Sequence, residues 1–283
     1  MKKLIYTAAL LLFTILNNAQ NYTPQDKEIY AAKAKIASDA IRDKAELNAV
    51  ISKVASSFAG TDYVGFTLET DGPEVLTVNF RGLDCTTFLE TAVTVARTCA
   101  DGKDSFEEYL QKLEEIRYRG GKLNGYPSRL HYFSDWIYDN VKKGIIKDIS
   151  REIGGEKIVF NVSFMGNNPK LYMMLKGNDE FLKQIKQQEK EIAAREYYYI
   201  PNSRIKDVQD KIMSGDLIGI VTSVEGLDIS HTGFAYRGDD NVLKFLHAPM
   251  AGKKVEITKK PLADYIPAIQ KSKGIVVLRA VSH

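Results

Sequence analysis

Cys85 and Cys99 stand at the two ends of an uninterrupted stretch, TTFLETAVTVART over residues 86–98, that contains neither Gly nor Pro. Apolar residues recur at positions 88, 89, 92, 93 and 96, the spacing of one helix face. Fourteen residues of helix separate the two cysteines by about 21 Å at 1.5 Å per residue. A disulfide needs Cα atoms within about 7 Å. The chain has two cysteines, so both are expected to be free thiols and an apolar core has to hold the fold. Cys99, near the helix end, fits a buried small hydrophobe. Cys85 sits at the helix start, where a thiol has chemistry.

Free thiols call for an explanation here, because the chain is expected to be exported. Residues 1–20 read MKKLIYTAALLLFTILNNAQ. Lys2 and Lys3 are followed by an apolar run from Leu4 to Leu16 and then a small, polar exit, the pattern of a secretory signal peptide. The run is short for a bilayer span and no second apolar segment follows. The mature chain is therefore expected to be periplasmic or secreted, with no integral membrane segment. Lys and Arg number 39 against 36 Asp and Glu, a net charge of +3 that falls to +1 without Lys2 and Lys3. That balance gives no push toward nucleic acid or an anionic membrane. About 263 residues remain, which reads as a single domain over 21–283. Nothing in the sequence sets an oligomeric state.

The domain reads as α+β. Residues 24–59 form a helical N-terminal segment, extended stretches lie near Leu68 and over 74–80, and the Cys85 helix ends at Gly102. Residues 104–117 and 177–196 have helical character, and 157–164 that of a strand. Strands are expected at Leu217–Thr222, Thr232–Tyr236, Val242–His247, Lys254–Ile257 and Ile275–Ala280, with turn residues between them. A helical first half then packs on an antiparallel sheet.

The stretch Arg81-Gly82-Leu83-Asp84-Cys85-Thr86-Thr87-Phe88 carries the chemistry. Asp84 is a good N-cap, which puts Cys85 in the first turn. The unpaired N–H groups and the helix dipole there are expected to lower the thiol pKa, and the same N–H groups could face an oxyanion. His231 opens one apolar strand, where its imidazole could act as the base for Cys85. His247 ends the next strand of a hairpin and could fix the tautomer of His231. Spacings such as CxxC or HxxxH do not occur, so no metal is expected. No phosphate-loop fingerprint or other cofactor motif is present.

Taken together, Asp84-Cys85-Thr86, Gly215-Asp216-Leu217, His231-Thr232-Gly233 and His247-Ala248 resemble the NlpC-type cysteine peptidases, papain-like peptidoglycan hydrolases of bacteria. Thr86 and Thr232 stand where that superfamily usually has Ser and Val. Over about residues 55–260 the chain is similar to one branch, the N-acetylmuramoyl-L-alanine amidase-like proteins. The matching stretches are Gly60–Tyr63, Thr67–Glu69, Leu83–Phe88, Arg129–Trp136, Tyr199–Pro201 and Gly226–His231. The resemblance implies a papain-like fold, a triad of Cys85, His231 and His247, and Tyr63 as an oxyanion donor. It also implies hydrolysis of the amide between (anhydro-)N-acetylmuramic acid and L-Ala in muropeptides. Two other readings stay open on the same fold: an endopeptidase cutting within the stem peptide, and a non-catalytic cell-wall binding module. A transglutaminase-like third group would be an Asp, but Asp239 and Asp240 sit in a turn.

A segment over about 103–200 is expected to shape the substrate site as an insertion. Within it, residues 118–136 lose periodicity and gain Gly, Tyr and single polar residues. Arg129, Ser134 and Asp135 are candidates to hold polar groups of the substrate, with Ser230 contributing from the sheet. Tyr132 and Trp136 are candidates to stack on a sugar ring. The other reading of this stretch is structural, with core aromatics under a loop and Arg129 paired to Asp135.

Overall fold

The structure, a computed structural model, describes residues 20–70 and 72–282. The expected signal peptide, apart from Gln20, and His283 lie outside these residues. Numbering the longer elements in chain order, the helices are α1 (Pro24–Arg42), α2 (Leu47–Ser56), α3 (Cys85–Ala100), α4 (Phe106–Arg117), α5 (Phe133–Lys142) and α6 (Asp179–Ala193). The strands of the main sheet are β1 (Ile146–Asp148), β2 (Glu156–Ile158), β3 (Tyr197–Pro201), β4 (Leu217–Thr222), β5 (Ile229–Arg237), β6 (Leu243–His247), β7 (Glu256–Ile257) and β8 (Ser272–Ala280). Their order is β7-β6-β5-β4-β8-β3-β2, with β1 also on β8, and every pairing is antiparallel. The architecture is α+β, as expected.

The expected helical segment 24–59 is two helices, because Lys44 takes a left-handed φ of 61° and the chain turns back before α2. Over 74–80 and 157–164 the strands shrink to Leu76–Thr77 and Glu156–Ile158. Strands β1 and β3, unexpected from the sequence, both pair with the C-terminal strand β8, and β3 also carries β2 on its other edge. Their pairing is decided by residues far along the chain, which local propensity cannot see.

Helix α3 is the axis of the molecule. Residues 87–99 are buried on almost every side, against α1, α2, α4 and β5. A helix so enclosed is held by packing more than by propensity. Its N-terminus is fixed by a reciprocal cap: the Asp84 carboxylate accepts from the Thr87 N–H (2.7 Å) and the Thr87 hydroxyl accepts from the Asp84 N–H (2.9 Å). Phe88 meets Phe234 edge-on, centroids 5.3 Å apart, locking the first turn of α3 to strand β5. Cys85 and the β5–β6 hairpin are thereby held in one frame. Cys99 is buried at the other end, its thiol 3.6 Å from the Ala34 carbonyl, and both cysteines are free.

Candidate active site

Residues 62–63 pair parallel with 82–83, with Tyr63 opposite Leu83, two residues before Cys85. Gly82 is required there, since a Cβ would meet a methyl of Val64 at 2.4 Å. On the other side, His247 pairs with Gly233, and His231 lies two residues from Gly233 on the same face. The two imidazoles are thus diagonal neighbours across the hairpin. At position 233 a Cβ would come within 2.9 Å of the His247 Cβ, so glycine leaves the space in which the rings meet. His231 Nε2 and His247 Nδ1 are 2.7 Å apart. Ring stacking with Phe245 (4.6 Å) and the Tyr265 hydroxyl, 3.4 Å from His247 Nε2, hold the second ring. Glu256, opposite His247 on β7, places a carboxylate oxygen 3.9 Å from the same Nε2.

Cys85, Thr86, Ser230, His231 and Thr232 line one pocket of about 190 Å³, closed by His131, Tyr132, Met165, Tyr172 and Asp228 among others. Ser230 is the extra residue of a β-bulge, because Ile220 pairs with His231 and Val221 already with Ile229. The bulge bends the strand where it enters the pocket. A second cleft of about 250 Å³ adjoins, lined by Tyr63, Phe66, Glu69, Arg129 and others, and shares Thr86 and His131 with the first.

Burial pushes the Cys85 thiol up, and the Asp84 carboxylate adds to this; N–H and hydroxyl groups of Thr232 and Thr86 pull the other way. This corrects the expectation that the helix end lowers it: desolvation outweighs the dipole. Burial takes His231 down to about 4, and burial together with the His231 ring takes His247 to about 3. These shifts favour a neutral thiol and neutral imidazoles near pH 7.

These two histidines make acid stability a test. Their folded pKa values lie below the unfolded value, so between them the unfolded chain binds more protons. The stabilisation is full above about pH 6.5 and is lost as pH falls through about 4 and about 3. The urea midpoint should therefore fall between pH 7 and pH 4.5, and fall less in His231→Asn. Parallel pH curves for the two proteins would refute the buried neutral imidazole.

Several expected substrate contacts lie beneath the site. Trp136 is wholly buried, stacked on Phe133 (4.9 Å), with its indole N–H on Glu90 Oε1 at 3.1 Å. It cannot stack on a ligand. Asp135 is buried between Arg119 and Arg195, whose Nη1 is 2.7 Å away. Ser134 is buried too, its backbone N–H donating to Asp228 Oδ2 at 2.6 Å. Arg129 borders the second cleft, but its guanidinium is engaged by Leu68 O, Glu69 and Glu74, not by Asp135. Tyr132 lines the first pocket with its ring while its hydroxyl donates to Glu189 at 2.7 Å. Asp228, His131, Glu256 and Tyr265 are site residues that the sequence reading did not single out. The cue for Asp228 and His131 was their place inside the quoted stretches; Glu256 and Tyr265 gave none.

An α+β fold that brings a helix-terminal thiol and a histidine into one pocket, with a second histidine hydrogen-bonded to the first, defines a candidate hydrolase. The chain belongs to the AmiA-like, N-acetylmuramoyl-L-alanine amidase-like family, whose sequence model matches residues 53–275. It is similar to the crystal structure of an N-acetylmuramoyl-L-alanine amidase from Bacteroides uniformis. There the identity is 34% and the TM-score 0.80, over 84% of this chain and 100% of that one. A Legionella pneumophila protein shares the fold at 22% identity and a TM-score of 0.67, over 90% of this chain and 95% of that one. Nothing among the curated proteins matches the chain.

Proposed function

We propose that this chain is an exported cysteine amidase, periplasmic or secreted, that hydrolyses the amide between (anhydro-)N-acetylmuramic acid and L-Ala in muropeptides. The observation that carries the cysteine mechanism is that His231 shares a pocket with Cys85 and is held from behind by a 2.7 Å contact between its Nε2 and His247 Nδ1. If His231 Nε2 carries the proton of that contact, its Nδ1 is the free base for the thiol. His247 Nδ1 then accepts, and its Nε2–H is directed to Tyr265 and Glu256.

In the proposed reaction Cys85 Sγ attacks the lactyl carbonyl carbon while its proton passes to His231. The two neutral resting groups make proton transfer part of the attack rather than a prior ion pair. The oxyanion is met by first-turn N–H groups of α3 and by the Tyr63 hydroxyl. Collapse breaks the C–N bond, and the His231 imidazolium protonates the departing L-Ala amine. Water, deprotonated by His231, then cleaves the thioester and returns the thiol.

The substrate supports this reading through the family alone, so the test is direct. Purified protein with defined anhydro-muropeptides should release free stem peptide beginning at L-Ala, identified by mass spectrometry. Fragments cut inside the stem would favour the endopeptidase, and tight binding without cleavage would favour a binding module.

A further inference from the structure

Phe66 combines two features that a surface loop would normally avoid. It is 86% exposed, the most open of the large apolar side chains among the described residues. Its backbone also has φ of 62°, a left-handed conformation that bulky side chains rarely adopt. Gly or Asn would relieve both at once, so a ring kept there needs another reason.

The loop that carries it is held firmly. Val64 N–H donates to Leu83 O at 3.2 Å, and Glu69 N–H to Phe66 O at 3.0 Å. From below, Arg129, 5% exposed, donates to Leu68 O at 2.9 Å and pairs with Glu69. Arg129 is in turn anchored by Glu74 at 3.5 Å and by the Tyr126 ring at 4.9 Å. The guanidinium expected to touch substrate instead clamps the loop that presents Phe66 to the 250 Å³ cleft.

Of the polar side chains that line that cleft, Arg117 and Glu90 pair with each other and Arg129 with the loop, while Tyr63, Glu69 and His131 face a ligand. Glu69 commits Oε1 to Arg129, leaving its second oxygen. His131 Nε2 lies 2.9 Å from the Tyr126 carbonyl, so it carries the ring proton, and Nδ1 is left as an acceptor. A wall of one apolar ring, a phenol hydroxyl and two acceptors suits a neutral ligand with C–H faces and hydroxyl or amide donors.

We propose that Phe66, on the Arg129-clamped loop, is the platform for the pyranose ring of the substrate, with Glu69 and His131 Nδ1 accepting from its hydroxyl and acetamido groups. This rests on the amidase reading and leaves the stem peptide to the other pocket, toward Met165 and Tyr172. The test compares kcat/KM on an anhydro-muropeptide and on the same stem peptide acylated by a bare lactoyl group. Phe66→Ala should lose about tenfold on the sugar-bearing substrate, as expected for one apolar face uncovered, and under twofold on the lactoyl peptide. Phe66→Trp should keep the discrimination. Phe66→Gly should raise the melting temperature while losing the discrimination, which separates ligand contact from folding. Equal losses on both substrates, or none, overturn the platform while leaving the amidase reading intact. A wild-type protein that cleaves neither substrate overturns both.

Discussion

His231→Ala is expected to lower kcat/KM on an anhydro-muropeptide by about 10⁴-fold or more, and Cys85→Ser by a similar factor, because the two groups act as a unit. The imidazole is used three times in the proposed cycle, to take the thiol proton, to protonate the leaving amine and to activate water. His247→Ala should cost less, about 10²- to 10³-fold, since this ring orients His231 and moves no proton itself. Glu256→Gln should cost less again: its carboxylate is half exposed and 3.9 Å from His247 Nε2. The series is read with circular dichroism on each variant. A folded His247→Ala as inactive as His231→Ala would invert the assigned roles. Full activity in Cys85→Ser would remove the cysteine mechanism altogether.

The order of that series depends on distances the sequence does not contain, although most of the participants are visible in it. Helix α3 was legible because capping is local: Asp84 and Thr87 are three residues apart, and an unbroken apolar face follows them. The β5–β6 hairpin was legible for the same reason, with a short turn between two β-branched or aromatic runs that put His231 and His247 near their ends. What escaped is every partner set by tertiary packing. In RLHYFSDW the sequence shows a loop rich in ring and charged side chains, which resembles a binding surface. Trp136 is buried because its acceptor Glu90 lies 46 residues earlier, and Asp135 because Arg119 and Arg195 close on it from 16 residues before and 60 after. The Trp136 indole N–H and the Asp135 carboxylate are each buried with a partner, which makes burial tolerable. Phe66 is the converse, since no sequence pattern marks a Phe at positive φ, and its exposure follows from a clamp by Arg129 that spans 61 residues.

Glu90→Ala is expected to be the most destabilising of the single substitutions near the site, by about 3–5 kcal/mol. Glu90 sits on α3 one to two turns below Cys85, 2% exposed, and serves two donors at once. Arg117 Nε approaches Oε2 at 2.7 Å and Trp136 Nε1 approaches Oε1 at 3.1 Å. Removing the carboxylate strands a guanidinium that is 3% exposed, with its Nη1 still donating to the Thr77 carbonyl at 2.6 Å. It also leaves the indole N–H without its acceptor. At roughly 2–4 °C per kcal/mol for a domain of this size, the melting temperature should fall by about 6–20 °C. Glu90→Gln keeps an acceptor for Trp136 and loses the charge, so its loss should be intermediate. The double variant Glu90→Leu with Arg117→Met should recover much of the stability, because a paired buried charge is worth little over a packed apolar pair. If Glu90→Leu and Arg117→Met proved additive in that cycle, the ion pair would not be the source of the effect. Since Glu90 and Arg117 also floor the cleft under Phe66, the recovered double variant should remain active on the lactoyl peptide. It would then show that this network supports the site from below and is not consumed in the chemistry.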